Sequence, residues 1–127
     1  MIKWFDQQIL RFGEWLTEKC QVIVSAWSNW RNPPYRTVVV SEYLPKSLAQ
    51  RTLYIVEDDA YQEQAAMLCP CGCGRTLHMN LLPDERPCWT VTIHADGTSS
   101  LHPSVWRQKD CGSHFWLREG RIIWAKD

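Results

Sequence analysis

Two short cysteine-bearing stretches constrain this chain more than any other feature. Cys69-Pro70-Cys71-Gly72-Cys73-Gly74 carries three thiols at alternate positions, and Cys111-Gly112-Ser113-His114 supplies a thiol and an imidazole far along the sequence. Thiols at alternate positions of one turn do not readily bridge each other, because disulfide geometry is narrow. The pattern points instead to a reduced metal site. Cys69, Cys71, Cys73, Cys111 and His114 are the candidate ligands, and zinc is the expected ion, since thiolate and imidazole from two separate loops close a tetrahedron around it. Any fold of this chain must then bring two distant turns together. Gly72, Gly74 and Gly112 each follow a cysteine, as in a zinc knuckle, where the backbone curls so that its amides face the sulfurs. The one-residue spacing of the first cluster departs from the usual Cys-x-x-Cys.

Five donors compete for the four places of a tetrahedral ion, so one is surplus. A closed four-ligand site would be structural. A spare thiol beside the cation could be a nucleophile, and an open coordination place would let bound water react if a carboxylate could take its proton. Glu57, Asp58, Asp59 and Glu63 precede the first cluster. Glu57, at the end of an expected strand, is the best-placed general base. Ser113 is a candidate nucleophile or hydrogen-bond donor, although a serine in a metal turn also caps backbone amides. His78, His94 and His102 have no second donor near them in sequence and read as surface or core histidines. Cys20 and Cys88 read as small apolar residues.

Ile2, Phe5, Ile9, Phe12, Leu16, Cys20, Ile23, Trp27 and Trp30 recur at steps of three and four, the spacing of an apolar stripe on one helix face. This predicts an amphipathic helix from residue 2 to about 31, weakened at Gly13 and ended by Asn32-Pro33-Pro34. The stripe could pack on the following domain, or serve docking or self-association. From Tyr35 onward the pattern changes to short β-type runs: Thr37–Val40, Thr52–Val56, Leu77–Leu81, Trp89–Ile93, Phe115–Leu117 and Ile122–Trp124. Asp96-Gly97 predicts a hairpin returning through Ser99–His102, and Glu119-Gly120 a second one. The acidic, alanine-rich stretch from Glu57 to Met67 reads as a short helical turn or a loop leading to the cysteines, and the Cys69 cluster is placed in the turn after a strand ending near Leu68. The expected class is α+β: an N-terminal helix over residues 1–34, then a small antiparallel β-rich zinc-binding domain over 35–127.

Lys plus Arg and Asp plus Glu both number 14, so no strong field would draw in nucleic acid or an anionic membrane. Charges interrupt the apolar N-terminus, which therefore reads as neither a signal peptide nor a membrane span. Cytoplasm is the expected location. Eight tryptophans must be buried within the chain or against a partner, which argues against disorder.

From about Leu44 to Ala125 the chain resembles a family of small bacterial domains found in operons for ubiquitin-like protein conjugation. The resemblance lies in Pro45-Lys46, Leu53-Tyr54-Ile55, Leu68 through Gly74, Leu81-Leu82-Pro83 and Pro87 followed by Trp89. It continues in Pro103-Ser104-Val105-Trp106, Cys111 through Trp116 and Gly120 through Trp124. The resemblance implies a role in that pathway, with the modifier or its conjugating enzymes as partners. The role best suited to an accessible zinc or activated thiol is a peptidase that processes or removes the ubiquitin-like modifier. The alternative is a noncatalytic zinc module that binds the modifier or a conjugating enzyme.

Overall fold

The computed structural model describes residues 19, 20, 23, 24, 27 and 30–125. The chain divides into two units, Met1–Pro33 and Pro34–Asp127. Among its described residues the second holds nine strands: β1 (Arg36–Ser41), β2 (Thr52–Asp58), β3 (Tyr61–Leu68), β4 (Thr76–Asn80), β5 (Thr90–Ile93), β6 (Ser99–His102), β7 (Val105–Trp106), β8 (His114–Arg118) and β9 (Arg121–Trp124). They form three sheets, β1-β2-β3-β4, β5-β6 and β7-β8-β9.

This corrects the expected α+β class. The described architecture is β-rich and no helix with defined bounds belongs to it. Within the segment expected to be helical, only Lys19, Cys20, Ile23, Val24, Trp27, Trp30 and Arg31 are described; their backbone is locally helical, but they are scattered positions and do not define an element. Most of the apolar stripe, and the self-association proposed for it, lies outside the described residues. No helix among the described residues is long and apolar enough to cross a membrane.

Central strand β2 explains the first sheet. Thr52 to Val56 is buried throughout, because the strand is paired on both edges and its apolar run leaves no side for water. It pairs in parallel with β1, Thr37 opposite Leu53, and antiparallel with β3, Tyr54 opposite Ala66. The parallel pairing departs from the antiparallel sheet expected. Strand β3 ends at Leu68, where a strand is expected to end, but it runs back to Tyr61 through part of the acidic, alanine-rich stretch that reads as a helical turn or loop. Ala65, Ala66 and Met67 are fully buried there, flanked by β2 and β4; two paired edges outweigh a weak local preference.

The core gathers Leu53, Ile55, Met67, Met79, Leu101, Phe115 and Leu117, so all three sheets contribute to one apolar centre. Asp96 accepts the Thr98 amide at 3.0 Å and its hydroxyl at 2.6 Å, fixing the β5–β6 turn. The β8–β9 turn is fixed by Gly120, whose amide donates to Ser99 at 2.9 Å and whose carbonyl accepts from Tyr35 at 2.7 Å. Its φ is +77°, and a Cβ there would meet the Tyr35 carbonyl and Thr98 Cγ2 at 3.0 Å. Only glycine suits both restrictions.

Candidate active site and cysteine centre

Cys69, Cys71 and Cys73 occupy the β3–β4 loop. Cys69 follows β3 directly; its amide donates to the Arg75 carbonyl at 2.8 Å, and the Gly72 amide turns back to the Cys69 carbonyl at 3.2 Å. Gly72 holds a φ of +88°, a conformation that lets the loop curl around its own sulfurs. Cys111 arrives from the β7–β8 loop. Asp110 ties the two loops, binding Arg107 of its own loop at 2.7 Å and Arg75 of the other at 3.5 Å.

Sulfurs of Cys69, Cys71, Cys73 and Cys111 all lie within 4.8 Å of one another. The Cys69–Cys71 separation is 3.3 Å and Cys69–Cys111 is 3.6 Å. A disulfide would need about 2.05 Å, whereas sulfurs about 2.3 Å from a tetrahedral ion stand roughly 3.8 Å apart. These four cysteines could hold a metal ion. Burial pushes the Cys69 thiol up to about 12, with its bond from Ser113 working against that rise. Cys111 is drawn down to about 6, first by the Ser113 hydroxyl and then by the Ser113 amide. Buried Ser113 lies 3.4 Å from Cys69 Sγ and 3.2 Å from Cys111 Sγ. Its hydroxyl thus serves the sulfurs.

His114 is not in that group. The chain turns through Cys111 and Gly112, whose φ is +65°, and becomes extended as it enters β8 at His114. Successive side chains of an extended chain point to opposite faces, so Ser113 faces the sulfurs and His114 takes the other side. There its Nε2 lies 2.9 Å from Ser104 Oγ. Trp106 stacks on the imidazole at 5.0 Å and 15°, and Trp116 lies against it at 5.7 Å. The Ser104 carbonyl accepts the Trp89 indole N–H at 3.3 Å. Ser104 is half-buried and directly precedes β7. The arrangement is a serine and an imidazole within proton-transfer distance, framed by aromatic rings.

A second serine–histidine contact joins His94 Nε2 to Ser100 Oγ at 2.7 Å. That oxygen also accepts the Glu119 amide at 2.8 Å, so it braces the β5–β6 hairpin against the β8–β9 turn. Glu57 is not brought to either centre. It faces Gln62 near the far end of the β2–β3 hairpin, on the order of 20 Å from Cys69 at the usual strand rise. Ser104 and its partner His114 are ten residues apart with no local motif between them. The missed signal is the strand parity that separates Ser113 from His114.

Residues 40–125 match the family described as bacterial ubiquitination-like system serine protease (BubE). The chain belongs to the BubE family. That membership associates it with a bacterial ubiquitination-like system, as the resemblance of its motifs implied. A search of the curated proteins and of the solved structures finds no match. The family description names serine chemistry, and in this BubE-family domain consecutive residues reach the two groups, Ser113 the cysteine centre and His114 the serine beside β7.

Proposed function

We propose that this chain is a serine peptidase that cleaves a ubiquitin-like modifier at its C-terminal end, with Ser104 as nucleophile and His114 as general base. The observation that carries this reading is the 2.9 Å contact between Ser104 Oγ and His114 Nε2. With its proton on Nδ1, the imidazole accepts the Ser104 hydroxyl proton as Oγ attacks the scissile carbonyl. His114 then passes that proton to the leaving amine, the peptide C–N bond breaks, and an acyl ester remains on Ser104. Water attacks the ester, again giving a proton to His114, and the new carboxylate leaves as Ser104 recovers its proton. Aromatic rings from Trp106 and Trp116 hold the imidazole plane toward Ser104.

Zinc is the ion we assign to Cys69, Cys71, Cys73 and Cys111, because four cysteine sulfurs within 4.8 Å of one another suit it. Bound there, it would supply a cross-link between two loops, with all four places filled by sulfur. This arrangement supports a scaffold and puts the chemistry at the serine. Ser113, buried against the sulfurs, is poorly placed to attack a substrate.

A fluorophosphonate probe followed by peptide mapping tests the nucleophile without knowledge of the substrate. Labelling at Ser104, lost in Ser104→Ala and kept in Ser113→Ala, is the expected result. The same variants are then given a ubiquitin-like modifier bearing a C-terminal extension, and cleavage is followed by mass. A folded wild type that is neither labelled nor active would be the noncatalytic module that binds the modifier or its conjugating enzyme.

A further inference from the structure

The sheet edge beside Ser104 is built to receive a strand. Directly after β7 the Arg107 amide donates to the Ser113 carbonyl at 2.7 Å, and on the other side of β8 the Ala125 amide donates to the His114 carbonyl at 2.9 Å. Antiparallel ladders alternate hydrogen-bonded and non-bonded pairs. His114 therefore turns its backbone groups toward β9, and Trp106, its cross-strand neighbour, turns its own N–H and C=O away from β8. No hydrogen bond to either group occurs among the described residues. One residue pair earlier the edge is closed, because the Ser104 carbonyl is taken by the Trp89 indole.

From this geometry we infer that β7 is the docking edge for substrate: an extended, unfolded stretch of polypeptide adds as a strand, exchanging two backbone hydrogen bonds with Trp106 while its scissile carbonyl lies at Ser104 Oγ. The inference rests on Ser104 as nucleophile. Trp106 stands two positions from Ser104, so the substrate residue paired with it lies about 7 Å, or two residues, from the bond that is cut. Backbone pairing of this kind reads chain conformation rather than side-chain identity. The occupant is thus a flexible tail, such as one beyond a folded modifier, and not a folded surface. The exposed Trp106 ring, 55 % accessible, gives the adjacent substrate side chain an apolar wall.

The pair Trp106→Pro and Trp106→Ala tests this. Both remove the indole, but only proline removes the outward N–H, at an edge position where proline does not break the ladder to β8. The readouts are fluorophosphonate labelling of Ser104 and cleavage of a mixture of internally quenched, unstructured decapeptides. Expected are equal labelling of the two variants and kcat/KM about tenfold lower for proline than for alanine, the effect of one lost hydrogen bond. Equal cleavage by the two labelled variants would overturn the inference, as would a wild type that is labelled yet cuts none of the decapeptides. Should Trp106→Pro fail to fold, wild type is assayed on a cleaved decapeptide N-methylated at each amide in turn: a roughly tenfold loss at one amide two residues from the cut supports the edge, and no such position refutes it. Absence of labelling in wild type would instead defeat the nucleophile assignment.

Discussion

The residues that reach the cysteine centre and the serine–histidine pair, Ser113 and His114, are separated by a single peptide bond, yet their side chains meet different surroundings. Ser113 points to the sulfurs, where its hydroxyl lies against two thiols, the buried Cys69 and the exposed Cys111. His114, the next residue, points to Ser104 on a half-exposed face lined by tryptophan. The contrast teaches how a β-strand separates functions. Its two-residue period lets neighbouring residues of one short segment reach a cluster of thiols on one side and a serine on the other, the division on which the proposed scaffold and the proposed chemistry rest.

The largest effect should come from the anchoring face. A structural zinc site contributes on the order of 10 kcal/mol, comparable to the whole stability of a small domain. Cys73→Ser or Cys111→Ser is therefore expected to lose the ion by elemental analysis and the cooperative melting transition with it. His114→Ala should keep both. An ion lost from His114→Ala but retained in Cys73→Ser would erase the division between the faces.

Next in size is the chemical face. Ser104→Ala and His114→Ala should each lower kcat about 10⁴-fold or more, with the double variant no worse than either alone, since the two act as one unit. Melting temperature and metal content should stay at the wild-type values. A smaller effect is expected at Gly120, where a Cβ would press on the Tyr35 carbonyl at a left-handed backbone. Gly120→Ala should cost about 2 kcal/mol in denaturant unfolding while leaving Ser104 labelling intact at 25 °C.

The smallest effect sharpens the comparison most. The Ser113 hydroxyl holds Cys111 down near 6, so the thiolate persists to lower pH than an ordinary cysteine. In Ser113→Ala that thiol rises, protons compete better for the sulfur, and the ion should leave at a higher pH, with the midpoint up by roughly half a unit. A chromophoric chelator followed during acid titration measures it. Unchanged release would mean that the hydroxyl does not serve the sulfurs.

Much of the β architecture was legible because it is written locally. The apolar run from Leu53 to Val56, the alternation from Trp89 to Ile93 and the Asp96-Gly97 turn each carry their own signal, and strands β2, β5 and β6 lie there. Of strand β3 only the end near Leu68 was legible; its reach back to Tyr61 was not, since Ala65 and Ala66 gain their place from neighbours on both edges rather than from preference. Two-residue β7 was too short to announce itself. At the site, four of the five candidate ligands come together, while the fifth, His114, turns to Ser104. Reading Cys111-Gly112-Ser113-His114 as one turn put all its side chains on one centre, whereas the extended chain from Ser113 onward divides them.

The sequence by itself determined that two cysteine loops must converge, because closely spaced thiols with following glycines have few other stable arrangements. Only the tertiary structure decided which histidine meets which serine. That pairing depends on strand parity and on the register of Trp106 with His114, and both are set by the packing of three sheets around Phe115 and Leu117 rather than by any spacing along the chain.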